Sequence, residues 1–208
     1  MNIIVALFAS YLIGSLSFGY MAGKLLRGID IRQYGSGNTG STNIQRTLGT
    51  VPAIIVLLLD VGKGLAAVLL ARALTDAPGV EMLAGVLSVL GHNWPLFHRF
   101  KGGRGVATSI GVLIGLAWQV LLIALTIGII IIAVTRYVSL GSIIGILLVP
   151  MLMIGFSLPL PHILFGIVLA IFVVLRHRQN ISRLLAGTEN KLGGKADSVK
   201  REEKVNGR

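Results

Sequence analysis

The sequence contains no cysteine, and its 8 Asp and Glu are outnumbered by 19 Lys and Arg among 208 residues. Without thiols, disulfides, cysteine-held iron–sulfur clusters and a thiol acyl carrier are all excluded. The four histidines, at 92, 98, 162 and 177, show no HExxH or other ligand spacing, so metal catalysis is not expected. GxSxG is absent, which removes the nucleophile-elbow hydrolases. No basic residue precedes the first apolar stretch, MNIIVALFASYLIG, so it lacks the charged start of a signal peptide and reads as a retained first span.

What the chain has in abundance is hydrocarbon. Hydrophobic residues make up 54%, charged residues only 13%, and the mean hydropathy is +0.83. Apolar runs of 18 residues or more recur, each long enough to cross ~30 Å of lipid as a helix. An all-α, polytopic membrane protein is expected, with spans near 2–23, 51–73, 80–98, 105–117, 118–135, 138–156 and 159–176. Residues 105–135 form one uncharged stretch of about 31 residues, which as a single helix would rise ~46 Å, too long for the bilayer. Dividing it near Trp118 gives seven spans. Lys24, Arg27, Arg32, Arg46, Arg99, Lys101, Arg104, Arg136, Arg176 and Arg178 then share one face. The positive-inside rule therefore puts the N-terminus outside and the C-terminus in the cytoplasm, with Arg72 a lone basic exception beside Asp76 and Glu81. Ser10, Gly14, Ser15 and Gly19 suit close helix packing. Residues 1–187 read as one transmembrane domain, and 188–208 as a polar, mixed-charge tail. The net charge of +11 fits cytoplasmic loops, anionic lipid or an anionic substrate, and no nucleic-acid partner is expected.

This topology brings three polar segments to one interface. The first is YGSGNTGSTNIQRTLG, Tyr34 to Gly49. GSGNTG matches GxGxxG, but no strand precedes it and Asp60, where a ribose-binding acid would stand, lies inside a span; a dinucleotide site is refuted. What remains is anion chemistry: glycines that let backbone N–H groups approach, hydroxyl and amide donors from Ser36, Asn38, Thr39, Ser41, Thr42 and Asn43, and the fork of Arg46. A flexible hydrophilic loop is the alternative for this segment alone. The second, GHNWPLFHRFKGGRGVAT, sets Lys101, Gly102, Gly103, Arg104 and Gly105 before an apolar helix whose first N–H groups lack intrahelical partners. Its alternative is a loop that binds lipid headgroups. The third, RHRQNISRLLAGTEN, closes the last span, with His177 and Asn180 three apart on one helical face; a solvated histidine is the plain reading there. Asp60 and Lys63, also three apart, each cost ~2.5–3.5 kcal/mol at mid-bilayer. They read as an internal ion pair or as the deep end of a substrate pocket.

GSGNTGSTN with Arg46, GHNWPLFHRFKGGRGVAT, and RHRQNISRL with GTE together resemble the three signature segments of the PlsY family, bacterial acyl-phosphate–glycerol-3-phosphate acyltransferases. The HxxxxD pattern of the common glycerolipid acyltransferases is absent. The resemblance covers nearly the whole membrane region, with one departure: Arg104 stands where lysine would be expected as often. It implies an enzyme of the bacterial cytoplasmic (inner) membrane, with a site facing the cytoplasm and no cofactor. The acyl group passes from acyl phosphate, not acyl-CoA or acyl-carrier protein, to the 1-hydroxyl of sn-glycerol 3-phosphate. Lysophosphatidic acid and phosphate result, in the first step of phospholipid biosynthesis, and a soluble phosphate acyltransferase supplies the donor. Two phosphates near one carbonyl repel by roughly 11 kcal/mol at ~6 Å and an effective dielectric of ~20. Only a dense set of cations and N–H donors offsets that. The resemblance seats glycerol phosphate on the second segment. Arg46, Lys101, Arg104 and the backbone of Gly102 to Gly105 are expected to hold phosphates. Ser36 and Asn38 are expected to hydrogen-bond the donor phosphate or carbonyl, with Ser36 as an acylated nucleophile the lesser option, and Gly37, Thr42 and Asn43 to bind substrate. His177, at a near-neutral pKa, takes the hydroxyl proton or only positions the donor; Asn180 supports it, and Glu189 ties the last loop to basic neighbours. A small anion transporter and a lipid-binding scaffold are the rival readings.

Overall fold

The computed structural model describes residues 1–193, and every regular element among them is helical. The helices are α1 (Asn2–Gly14), α2 (Phe18–Arg27), α3 (Ser41–Leu48), α4 (Thr50–Thr75), α5 (Pro78–Asn93), α6 (Val106–Leu116), α7 (Trp118–Thr135), α8 (Val138–Gly155), α9 (Leu160–Arg176) and α10 (Arg178–Leu185). Lipid offers backbone groups no partners, so apolar sequence resolves into helices that satisfy themselves. Asn2–Arg27, Thr50–Thr75, Trp118–Thr135 and Val138–Gly155 are long and apolar enough to cross a membrane, and α9 with α10 is a fifth such run, bent by 62°. The chain is a multi-pass membrane protein.

The breaks have local causes. The 105–135 stretch divides at Ala117, whose non-helical backbone (φ −156°, ψ 59°) separates α6 from α7. Pro78 opens α5 in its first turn, where a missing N–H costs nothing. The segment expected to be one span over 80–98 is helical only to Asn93. Trp94 leaves the helical region because Pro95 follows it. The first span is also interrupted, at Ser15–Ser17. There Leu16 O accepts a hydrogen bond from Lys63 Nζ at 2.7 Å.

α4 is the central element, packed by α1, α3, α5 and α6. With no hydrophobic drive between helices in lipid, close backbone approach replaces it. A Cβ on Gly14 would overlap the backbone of Ser88, and one on Gly111 that of Val61. Gly14 and Gly19 act as the sequence predicted, the latter against Thr39. At the far end of α4, Arg72 pairs with Glu81 (2.7 Å) and reaches Gly115 O, so the lone basic exception is compensated. α7 and α8 pack as a hairpin on which α9 leans. A cavity of about 430 Å³ is left between α4 and α6 on one side and α7 and α8 on the other.

Candidate active site

The glycine-rich loop owes its shape to Asn43. This side chain is 2% exposed. Its Nδ2 donates to Asn38 O (2.8 Å), Tyr34 O (3.1 Å) and Ile31 O (3.3 Å), and its Oδ1 accepts from Ser36 N (2.8 Å). Gly35 (φ 54°) and Gly37 (φ 71°) occupy the left-handed region, which the tight wrap around Asn43 requires. Asn43 lines the cavity but spends its hydrogen bonds on the loop; it is a scaffold more than a donor to substrate. Asn38 Oδ1 accepts from Gly40 N (2.8 Å), which starts α3 and turns Thr42 and Arg46 to the cavity. The hydroxyl of Ser36 makes no hydrogen bond among the described residues and lines the same cavity.

The second segment is clamped. Gly103 N donates to His92 O (3.0 Å), while Arg176 donates to the carbonyls of Gly103 (Nε, 3.0 Å) and Gly102 (Nη2, 3.1 Å). No Cβ fits on Gly103, because the His92 ring occupies that space. The Gly103 N–H is therefore committed within the protein and is not free for a phosphate, a correction to the expectation that the whole Gly102 to Gly105 backbone serves one. What the clamp presents is Arg104, with Gly105 and the uncapped start of α6, all at the cavity. The Arg104 guanidinium makes no hydrogen bond or ion pair among the described residues. Burial, with repulsion from Arg183, Arg176 and Arg46, lowers its pKa to about 10, so it stays charged and short of anionic partners at neutral pH. Arg46 is lowered too, first by burial and then by Arg183, with Glu189 opposing. Lys101 is exposed and does not line the cavity.

His177 sits at the bend between α9 and α10, 2% exposed and on the cavity wall. Its Nδ1 lies 2.7 Å from Val173 O. A carbonyl only accepts, so Nδ1 carries the proton and Nε2 keeps its lone pair. Burial, followed by the charges of Arg104 and Arg176, brings the pKa down to about 4. The near-neutral value expected from the residue type is thus overturned by the site. Asn180, also 2% exposed, does not brace His177; its Nδ2 donates to Glu189 Oε1 at 2.6 Å. Glu189 accepts in addition from Ser139 Oγ (2.9 Å) and Arg183 Nε (2.7 Å). Burial alone would raise this carboxyl, yet the three hydrogen bonds hold it below its ordinary value. Glu189 thus ties the last loop to Arg183, and Asn190 O is 3.4 Å from Arg46 Nη2. The tail expected over 188–208 contributes Glu189 and Asn190 to the cavity wall; from 194 onward it lies outside the described residues.

Asp60 and Lys63 form a buried pair, Oδ1 to Nζ 2.7 Å. Asp60 lines the cavity whereas Lys63 lies behind it, 2.9 Å from His92 Nδ1. Ser36, Asn38, Thr42, Asn43, Arg46, Asp60, Arg104, Gly105, His177 and Glu189 thus meet around one space; Gly37, Gly102, Gly103, Lys101, Lys63 and Asn180 stand outside its lining. Three participants were not singled out in the sequence. Ser139 follows Arg136 at the start of an apolar helix, so the basic face held a fourth loop worth searching. His92 was legible as the partner a buried Asp–Lys pair demands. Arg176 looked like one more interfacial arginine, and its grip on two glycine carbonyls has no sequence signal.

A family model described as glycerol-3-phosphate acyltransferase matches residues 4–187. A glycerol-3-phosphate acyltransferase of Shouchella clausii is 50% identical over 200 residues, covering 93% of this chain and 98% of that protein. One from Gloeobacter violaceus is 50% identical over 192 residues, covering 90% and 94%. The crystal structure of PlsY (YgiH), an integral membrane glycerol 3-phosphate acyltransferase in its glycerol 3-phosphate form, superposes with a TM-score of 0.88 at 37% identity, covering 93% of this chain and 96% of that one. Its lysophosphatidic acid form gives 0.85 at 36%. These likenesses leave one family for the chain, and it belongs to the PlsY glycerol-3-phosphate acyltransferases.

Proposed function

We propose that this acyltransferase takes its acyl group from an acyl phosphate and forms lysophosphatidic acid and inorganic phosphate. The observation that carries the reading is the cavity itself. Arg46 and Arg104 face a space that also holds the Ser36 hydroxyl and His177, while its deeper wall is apolar, with Leu57, Leu113, Leu121, Leu125, Ile146 and Val149. Anion-seeking cations at one end and a greasy lane at the other fit a phosphorylated headgroup joined to an acyl chain. The acyl chain would lie between α4 and the α7–α8 hairpin, reached from the lipid.

The glycerol phosphate C1 oxygen attacks the donor carbonyl carbon, the carbon–oxygen bond to phosphate breaks, and phosphate leaves. An acyl phosphate is already activated, so no covalent enzyme intermediate is required. Arg46 and Arg104 neutralise the two phosphates, the Ser36 hydroxyl polarises the carbonyl, and proximity supplies much of the rate. A base of pKa about 4 is weaker than a departing phosphate, whose second pKa is ~6. The phosphate therefore takes the proton, and the Nε2 lone pair of His177 orients the attacking hydroxyl. Seven crossings put all three polar segments on the cytoplasmic side of the inner membrane, where a soluble phosphate acyltransferase can deliver the donor. Purified protein should release phosphate from palmitoyl phosphate only with glycerol 3-phosphate present, and form no product from palmitoyl-CoA. Equal use of the thioester would refute the donor assignment.

A further inference from the structure

Resting on the acceptor reading above, we propose that Asp60 is a specificity determinant whose carboxylate accepts a hydrogen bond from the secondary, C2 hydroxyl of the glycerol phosphate. Asp60 is 1% exposed yet forms part of the cavity wall. Its level is set by α4 and α6, which run parallel: Gly64 meets Thr108, Gly111 meets Val61 and Leu65, and Gly115 meets Val68. Asp60 lies one turn before Gly64, toward the start of α6 and the turn that carries Arg104, and both Asp60 and Arg104 line the cavity.

The carboxylate is fixed in place. Oδ1 is paired with Lys63 Nζ at 2.7 Å. That ammonium is itself held by Leu16 O (2.7 Å) and His92 Nδ1 (2.9 Å). His92 in turn receives Gly103 N through its carbonyl, so the same lock that positions Asp60 also sets the turn carrying Arg104. Beyond Lys63 and the His92 Nδ1 that lies 3.5 Å from Oδ1, the carboxylate receives no hydrogen bond among the described residues. A pair serving packing alone has no need of a cavity wall, and a buried carboxylate with open lone pairs calls for a donor. An anionic phosphate cannot be that donor, whereas an alcohol can. With the phosphate on the cations and the C1 hydroxyl beside Ser36 and His177, the C2 hydroxyl is the group left to meet Asp60. Lys63 balances the charge, so the acid does not spoil the cavity for phosphate.

Sites built to bind a hydroxyl reject analogues that lack it. The test compares kcat/KM for sn-glycerol 3-phosphate and for 3-hydroxypropyl phosphate, which keeps the phosphate and the primary hydroxyl but has no C2 hydroxyl. Dihydroxyacetone phosphate, with a C2 carbonyl that cannot donate, is a second probe. The full-length wild type should prefer glycerol 3-phosphate over the deoxy substrate by about a hundredfold. Replacing the pair together by apolar residues, Asp60→Leu with Lys63→Met, avoids stranding a charge. It should bring the glycerol 3-phosphate and deoxy values to within about threefold of each other. Asp60→Asn, close to isosteric, guards against a failure of the double variant to fold and should cut the preference at least about tenfold. A preference that survives in both variants, or an equal fall for all substrates, overturns the proposal while sparing the acyltransferase reading. No transfer to glycerol 3-phosphate by wild type overturns both.

Discussion

His177 is where residue type and environment disagree most. Buried among arginines, it has a pKa of about 4, so protonation begins only well below neutrality. Histidine-selective NMR of the protein, assigned with His177→Asn, should show this ring neutral and protonated at Nδ1 down to about pH 5; titration near 6.5 would contradict the buried geometry. As a positioning group it should tolerate His177→Gln, which keeps an acceptor, at a loss of about tenfold in kcat, against at least about a hundredfold for Ala. Equal losses would instead point to proton transfer. The residue types were legible in the sequence: glycines, hydroxyls and arginines announced anion chemistry. Their division of labour was not, because it depends on which hydrogen bonds the protein keeps for itself. Asn43 looked like a substrate donor and Asn180 like a support for His177; they turned out to be tied to a loop and to Glu189.

At the scale of elements, the site rests on how closely the helices approach. Gly111→Ala pushes a methyl group into the backbone of Val61 and should destabilise by about 1–3 kcal/mol, read as a lowered Tm in detergent. Glu189 fastens the segment after α10 through Ser139, Asn180 and Arg183. Its folded pKa is depressed, so its contribution is complete above the ordinary value of about 4.3 and is lost as pH falls through the folded value. Glu189→Ala should speed amide exchange at 186–192 at neutral pH and cost about tenfold in activity; unchanged exchange would remove that role. The apolar runs made the helices legible because lipid leaves the backbone no other choice. Their interruptions were harder. Trp118 signalled one of them and Pro95, inside the span expected over 80–98, was passed over, whereas the break at Ser15–Ser17 answers to Lys63, forty-seven residues on, a partner no local pattern could name.

Across the whole molecule, the basic residues imply the sidedness on which the proposed cytoplasmic site rests. The absence of native cysteine makes that assignment simple to probe. A cysteine in place of Asp76 should react with a membrane-impermeant reagent in intact cells, and one in place of Arg99 only after the membrane is opened. Labelling of both from outside would overturn the topology. The central claim is that separated segments build one electropositive cavity for two phosphates. Equilibrium binding of glycerol 3-phosphate to the purified protein, without donor, tests it most directly. Arg104→Gln should weaken binding at least about tenfold, as charge-assisted hydrogen bonds are worth ~1.5–3 kcal/mol. Undiminished affinity in both Arg104→Gln and Arg46→Gln would contradict it.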